Sequence, residues 1–224
     1  MIEYTLIRSK RKTMALYVRE GALEVRAPLK ISKKEIDKFI LSKEKWINEK
    51  LAKSVERITQ RENFALTYGD MLTYRGYQYP IIAKDGNRMG FDNEKFYMPA
   101  NLTSDEIRRC CIEIYKNLAK RTIVAKVDVF EKKMSVKPTN IKINSAKTRW
   151  GSCSAKKSIN FSWRLIMADD DVIDYVVVHE LAHIIELNHS ARFWAVVENV
   201  LPDYRNQRAK LKKLQQKLSI EDWD

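Results

Sequence analysis

The chain has 224 residues and carries 42 Lys and Arg against 29 Asp and Glu, a formal net charge of +13 at pH 7. Its hydrophobic content of 45%, with 32% charged residues, is that of a globular protein long enough to bury a core, which excludes a disordered or fibrous chain. No run of about 18 apolar residues occurs, which excludes a membrane-spanning helix, and Cys110, Cys111 and Cys153 contain no C-x-x-C pair, which excludes a disulfide framework.

Residues 1–11 lack a basic-then-apolar signal design, so the expected location is the reducing cytoplasm. The positive charge points to an anionic partner, a nucleotide or nucleic acid, unless the lysines simply solvate helix faces. In chain order, Tyr4 to Ile7, Thr13 to Arg19 and Ala22 to Ala27 read as strands, with Ser9 to Lys12 as a solvated basic hairpin tip. Ser32 and Glu35 form a capping box that opens one helix running to about Arg57. That helix directs Ile36, Phe39, Ile40, Ile47 and Leu51 inward and places Trp46 in the core. Residues 64–98 return to short strands rich in packed aromatics, among them Tyr74, Tyr79, Phe91 and Phe96. Residues 99–104 are the best boundary. The expected division is 1–102, a strand-rich N-terminal region, and 103–224, a hydrolase domain.

Ser104 is expected to cap a long helix from Asp105 to about Met134, which the stretch around Pro138 breaks. Ile141 to Arg149 and Ser158 to Leu165 read as two strands. Asp169 to Asp171 give an acidic helix start that complements the macrodipole. A helix from Ser190 to Val200 follows. Pro202 opens a terminal amphipathic helix with Leu211, Leu214 and Leu218 on one face and Lys210, Lys212, Lys213 and Lys217 in water.

Between the acidic start and Ser190 lies His179-Glu180-Leu181-Ala182-His183, with His189 six residues further on, and these are all the histidines of the chain. On a helix His179 and His183 share a face, so both imidazoles can reach one ion. Glu180 lies about 100° round, where a carboxylate can take a proton from a water polarised by that ion without ligating it. Six residues advance a helix by about 600°, so His189 can join only if the helix ends first. Asn188 is placed to end it in a left-handed cap, and Ser190 to cap the next helix. Three imidazoles and a water make a tetrahedral zinc site. Glu186 and Glu198 are alternative third ligands or carboxylates that orient a histidine. Cys153 could be a fourth ligand.

These residues, followed by Asn188-His189-Ser190 and Phe193-Trp194, resemble the YgjP-like metallopeptidase family, a zincin group related to SprT-like and WLM-type proteases. Thr148-Arg149-Trp150-Gly151-Ser152-Cys153-Ser154 and Arg8-Ser9-Lys10-Arg11 match further motifs of that family. The resemblance covers nearly the whole chain. It implies a zincin-like C-terminal unit, a zinc-dependent metallopeptidase with His179, His183 and His189 as ligands, and Glu180 as catalytic acid and base. The histidine spacing also equals that of metzincins, but Glu186 stands at their turn glycine and no Met-turn follows.

The expected class is therefore α+β: a strand-rich N-terminal part with a long helix, then the zincin-like unit. In zincins a sheet edge strand runs beside the zinc helix and pairs with the substrate, and the resemblance puts the segment 148–154 near that cleft. Trp150 and Gly151 could equally build a tight structural turn. Arg149, Trp150, Tyr204 and Arg205, with Tyr175, are the candidates for binding substrate or the oxyanion, and the sequence does not choose among them. The expected substrate is a peptide or protein. Alternatives are a hydrolase of nucleotide phosphoanhydrides, for which the same activated water would serve, and a nucleic-acid-associated protease or binding protein.

Overall fold

A computed structural model describes residues 2–223 and is of mixed α+β class. Two compact units divide the chain: one takes in Met1–Phe64 and Lys217–Asp222, the other Ala65–Gln216 and Trp223. The segment 99–104, expected as a boundary, lies inside the second unit, where it links a strand to the long helix.

In the first unit β1 (Thr5–Ser9), β2 (Ala15–Arg19) and β3 (Ala22–Pro28) form a sheet of order β1-β3-β2. β2 and β3 are the antiparallel hairpin, turned at Glu20 and Gly21, both with positive φ. β1 runs parallel to β3. The basic segment 9–12 is therefore a crossing connection and not the hairpin tip that its composition suggests. Arg8 is fixed internally, its guanidinium donating to the carbonyls of Pro28, Leu29 and Ile31 at 3.0, 3.0 and 2.8 Å. Alternate β3 residues Leu23, Val25 and Ala27 bury one face against Ile36, Ile40 and Ile47. The capping box of Ser32 and Glu35 is present. The expected single helix is two, α1 (Lys33–Ser42) and α2 (Glu44–Glu62). At the break the Ser42 hydroxyl bonds back to Phe39 O at 2.7 Å, a competition with the helical ladder that needs neither Pro nor Gly. Trp46, expected in the core, is 41% exposed, because burial of Ile47 turns its neighbour outward.

In the second unit β4 (Met71–Tyr74), β5 (Tyr77–Lys84), β6 (Gly90–Phe91) and β7 (Phe96–Pro99) form a sheet of order β4-β5-β7-β6. Its aromatics pack on one another, with Tyr74, Tyr79 and Phe96 each under 5 Å from Phe91 between ring centroids. The long helix α3 (Ser104–Met134) is capped by Thr103 and not by Ser104: Thr103 and Glu106 make the capping box, while the Ser104 hydroxyl accepts from Leu66 N at 2.9 Å. α3 ends at Ser135, in the left-handed conformation.

The second sheet of this unit has β8 (Asn140–Asn144), β9 (Gly151–Cys153) and β10 (Ser158–Ser162) in the order β8-β10-β9. The strands are shorter than expected, since 145–150 is a loop and Trp163–Met167 a fully buried 3₁₀ turn. Three helices follow: α4 (Asp170–Ile185), α5 (Ala191–Val200) and α6 (Tyr204–Leu218). Pro202 lies two residues before α6. Trp163 of the 3₁₀ turn stacks on Tyr115 of α3 at 5.6 Å, and α4 packs along α3. No described helix is long and apolar enough to cross a membrane.

Candidate metal centre

α4 is apolar around its circumference: Val172, Ile173, Tyr175, Val176, Val177, Val178, Leu181 and Ala182 are all buried. A helix so enclosed holds its polar side chains in fixed positions, and beyond Asp170, Asp171 and Asp174 near its start these are His179, Glu180 and His183. The helix ends at Ile185, with Glu186 extended at φ −138° and ψ 110°. The termination therefore precedes Asn188 and needs no left-handed residue there; Asn188 has negative φ. The extended exit swings 186–189 across the helix end, and Ser190 then caps α5 by accepting from Phe193 N at 3.3 Å.

His179, His183 and His189 each present a ring nitrogen such that all three lie within 4.8 Å of one another. His183 Nδ1 is 3.2 Å from the Glu186 carbonyl oxygen. A carbonyl can only accept, so Nδ1 carries the proton and Nε2 keeps its lone pair for the cluster. His179 Nε2 and His189 Nε2 are 3.0 Å apart. Two such nitrogens face each other either across a shared proton or across an ion that both ligate. Zinc–nitrogen bonds of about 2.0–2.1 Å set tetrahedral ligands about 3.3 Å apart, so the spacing fits an ion. Burial depresses the His179 imidazole to about 3, with the positive fields of His183, His189 and Arg208 adding to it. Burial also lowers His183. Both rings are thus neutral near pH 7, the form that binds metal.

Glu180 is 5% exposed and its Oε2 has no hydrogen-bond partner. Burial pushes its carboxyl up to about 8, opposed by the positive field of Arg149. Its other face lies on Gly151: a Cβ built there would stand 2.5 Å from Glu180 Oε1 and 2.6 Å from its Cγ. Only glycine lets β9 come this close to the helix. Among the described residues β9 pairs with one strand alone, antiparallel to β10, so its other edge has no strand partner. The loop before it is pinned from below. Arg164 donates to Ser145 O at 2.9 Å, the Ser162 hydroxyl to Ala146 O at 2.7 Å, and Ser162 N to Trp150 O at 2.8 Å.

Arg149 is exposed in this loop and acts on Glu180 through its charge. Trp150 is half-buried, bound through its carbonyl. Tyr204 is buried, stacked between Trp194 at 5.2 Å and Tyr175 at 6.4 Å. Arg205 lies over the Tyr204 ring and is paired with Glu198 at 2.8 Å. That pair occupies Glu198. Glu186 faces Arg192 at 3.8 Å, and neither glutamate joins the histidine cluster. Cys153 is free and is likewise outside it. Two neighbours were not among the expected site residues. Trp194 stacks on His189 at 5.7 Å and 24°. Arg208 sits over Trp194, its Cζ 5.4 Å from the ring centroid; its four-residue spacing from Tyr204 was the available signal.

A buried helix that carries two histidines and a glutamate, closed by a third histidine from the next loop, has the ground plan of a metallopeptidase. The sequence model of the YgjP-like family, described as the YgjP-like metallopeptidase domain, matches residues 12–214. The chain belongs to the YgjP-like metallopeptidase family. Among solved structures it is similar to the crystal structure of the metallopeptidase zymogen abylysin of Pyrococcus abyssi, at 21% identity over 44% of this chain and 97% of that one, with a TM-score of 0.39. No curated protein matches the chain.

Proposed function

We propose that this metallopeptidase is zinc-dependent, with His179, His183 and His189 as ligands and Glu180 as general base. The observation that carries the reading is the convergence of three ring nitrogens within 4.8 Å beside a buried, unpartnered carboxylate oxygen. The donor set fits zinc: the imidazoles of His179, His183 and His189 would hold it and leave room for a water. When bound, zinc supplies Lewis acidity toward that water and toward the substrate carbonyl. A cation held by the three histidines would favour the ionised form of this carboxyl, and Glu180 Oε2 would then accept the water's proton and later deliver it to the amide nitrogen that leaves. Gly151 holds the carboxylate in place from behind. The open edge of β9 is suited to bind the peptide as an added strand, its backbone groups recognising any sequence. Three free cysteines accord with a reducing cytoplasmic setting.

The test is Glu180→Gln in protein loaded with zinc, assayed for casein cleavage and, in parallel, for phosphate and pyrophosphate release from nucleotides. Wild type should cleave casein. The variant should keep its zinc and lose turnover by about 10²–10⁴-fold, the range of a lost general base. Nucleotide hydrolysis without casein cleavage would replace the substrate class, and normal turnover by the variant would make the histidines a structural site.

A further inference from the structure

Arg208 carries an exposed guanidinium over Trp194, its Cζ 5.4 Å from the ring centroid, and that ring lies 5.9 Å from His179 and 5.7 Å from His189. Among the described residues no carboxylate pairs with it, whereas its neighbour Arg205 is taken by Glu198 and Lys210 by Asp169 and Asp171. A cation beside a site shaped to hold a divalent cation raises the energy of the resting protein. The cost is offset only by negative charge that is present when the site works. Glu180 is turned toward β9, its Oε1 and Cγ lying against Gly151.

We propose that Arg208 is a catalytic residue that binds the oxygen of the scissile carbonyl as that oxygen becomes negative; this rests on the peptidase reading above. The charge arises in a definite way. The water oxygen bonds to the carbonyl carbon, the C=O π pair moves onto the carbonyl oxygen, and the water's proton passes to Glu180. The pair then returns as the C–N bond breaks, and the amide nitrogen leaves with the proton from Glu180. The second water proton is lost as the new carboxylic acid ionises. A guanidinium suits this oxygen because its donors lie in a fixed planar fork, and the Trp194 ring restrains the side chain before substrate arrives. The other candidates are less suited. Tyr204 is buried within the aromatic stack, and Arg205 would first have to leave Glu198.

Arg208→Gln and Arg208→Lys, zinc-loaded, test the assignment. The readouts are metal content, kcat and KM for casein, and calorimetric binding of N-phosphoryl-Leu-Ala amide, a tetrahedral anion with no free carboxylate. For Arg208→Gln we expect normal zinc, KM within about twofold, and kcat lower by about 10²–10³-fold, the loss seen when one oxyanion donor is removed. Affinity for the phosphoryl compound should fall in parallel. Millimolar guanidinium, but not urea, should restore part of the turnover. The assignment is overturned by unchanged kcat, by a rise in KM alone, by zinc loss that accounts for the defect, or by a phosphoryl compound that binds wild type and Arg208→Gln equally or binds neither. Should wild type leave casein intact, the peptidase reading fails by itself, and the phosphoryl compound alone decides whether Arg208 receives an anion there.

Discussion

Gly151→Ala probes the closest approach in the site. Gly151 has no positive φ, so the backbone accepts alanine, and on chain entropy alone the change would stabilise by about 0.4–1 kcal/mol. The obstacle is Glu180. A Cβ at 2.5 Å from Oε1 must recover ordinary contact at 3.4 Å, a displacement of about 0.9 Å. The strain cannot be absorbed by the carboxylate tip alone, because Cγ and Cδ stand at 2.6 and 2.7 Å. Overpacking of this kind costs about 1–3 kcal/mol, or roughly 2–12 °C in melting temperature at this chain length. A catalytic group misplaced by about 1 Å loses about 10²-fold in rate. Metal content should stay normal, since no ligand is touched. The assay is casein turnover with melting temperature and metal analysis, run on Gly151→Ala, Glu180→Ala and the pair. In the Glu180→Ala background the clashing atoms are gone, so Gly151→Ala should then cost no stability. Wild-type turnover in Gly151→Ala, or equal destabilisation in both backgrounds, would refute the contact as the reason for glycine.

Chelation should lower the melting temperature of the wild type and leave His183→Ala unmoved; saturation at 100 times Kd corresponds to about 2.7 kcal/mol. Equal melting with and without chelator would show that no ion is held. Hydrogen bonding from Arg75, with the charge of Lys126, keeps the Asp170 carboxyl below the usual carboxylate range. Its stabilising effect is therefore complete above about pH 4 and is lost as pH falls through the lowered value. Arg75→Gln should flatten the acid limb of a circular-dichroism titration from pH 6 to 2, and an unchanged slope would discount the pair. Burial raises the Cys111 thiol to about 12, so a thiol reagent at pH 8 should modify Cys110 and Cys153 in the native protein and reach Cys111 only after denaturation, as peptide mapping will report.

The histidine cluster was legible because it is local: helical periodicity puts His179 and His183 on one face, and a third histidine ten residues from the first needs only a chain reversal. The capping box at Ser32 was legible for the same reason. At Thr103 the signal was present and misread, since the glutamate three residues on belongs to Thr103 and not to Ser104. What stayed hidden was long-range. Nothing near Gly151 in sequence announces Glu180, and β9, three small residues without alternation, carries no strand pattern. The parallel pairing of β1 with β3 depends on which edge the chain returns to. Neither strand encodes that choice. The Lys43 break lacks Pro and Gly, and Arg208 acquires meaning only once α6 is folded against Trp194.

The Glu186 carbonyl belongs to the residue where α4 stops, and it also receives the His183 proton. Loading the site and keeping the last helical turn closed are thus the same event seen from two sides. An ion that takes His183 Nε2 favours the tautomer that bonds Glu186, and a turn that opens releases the ring. In exchange terms, amide protons near the end of α4 should be lost to solvent faster in the metal-free protein than in the loaded one, while those of Val176 to Val178 are indifferent. By the same reciprocity, any change that frays this end weakens the hold on the metal without touching a ligand.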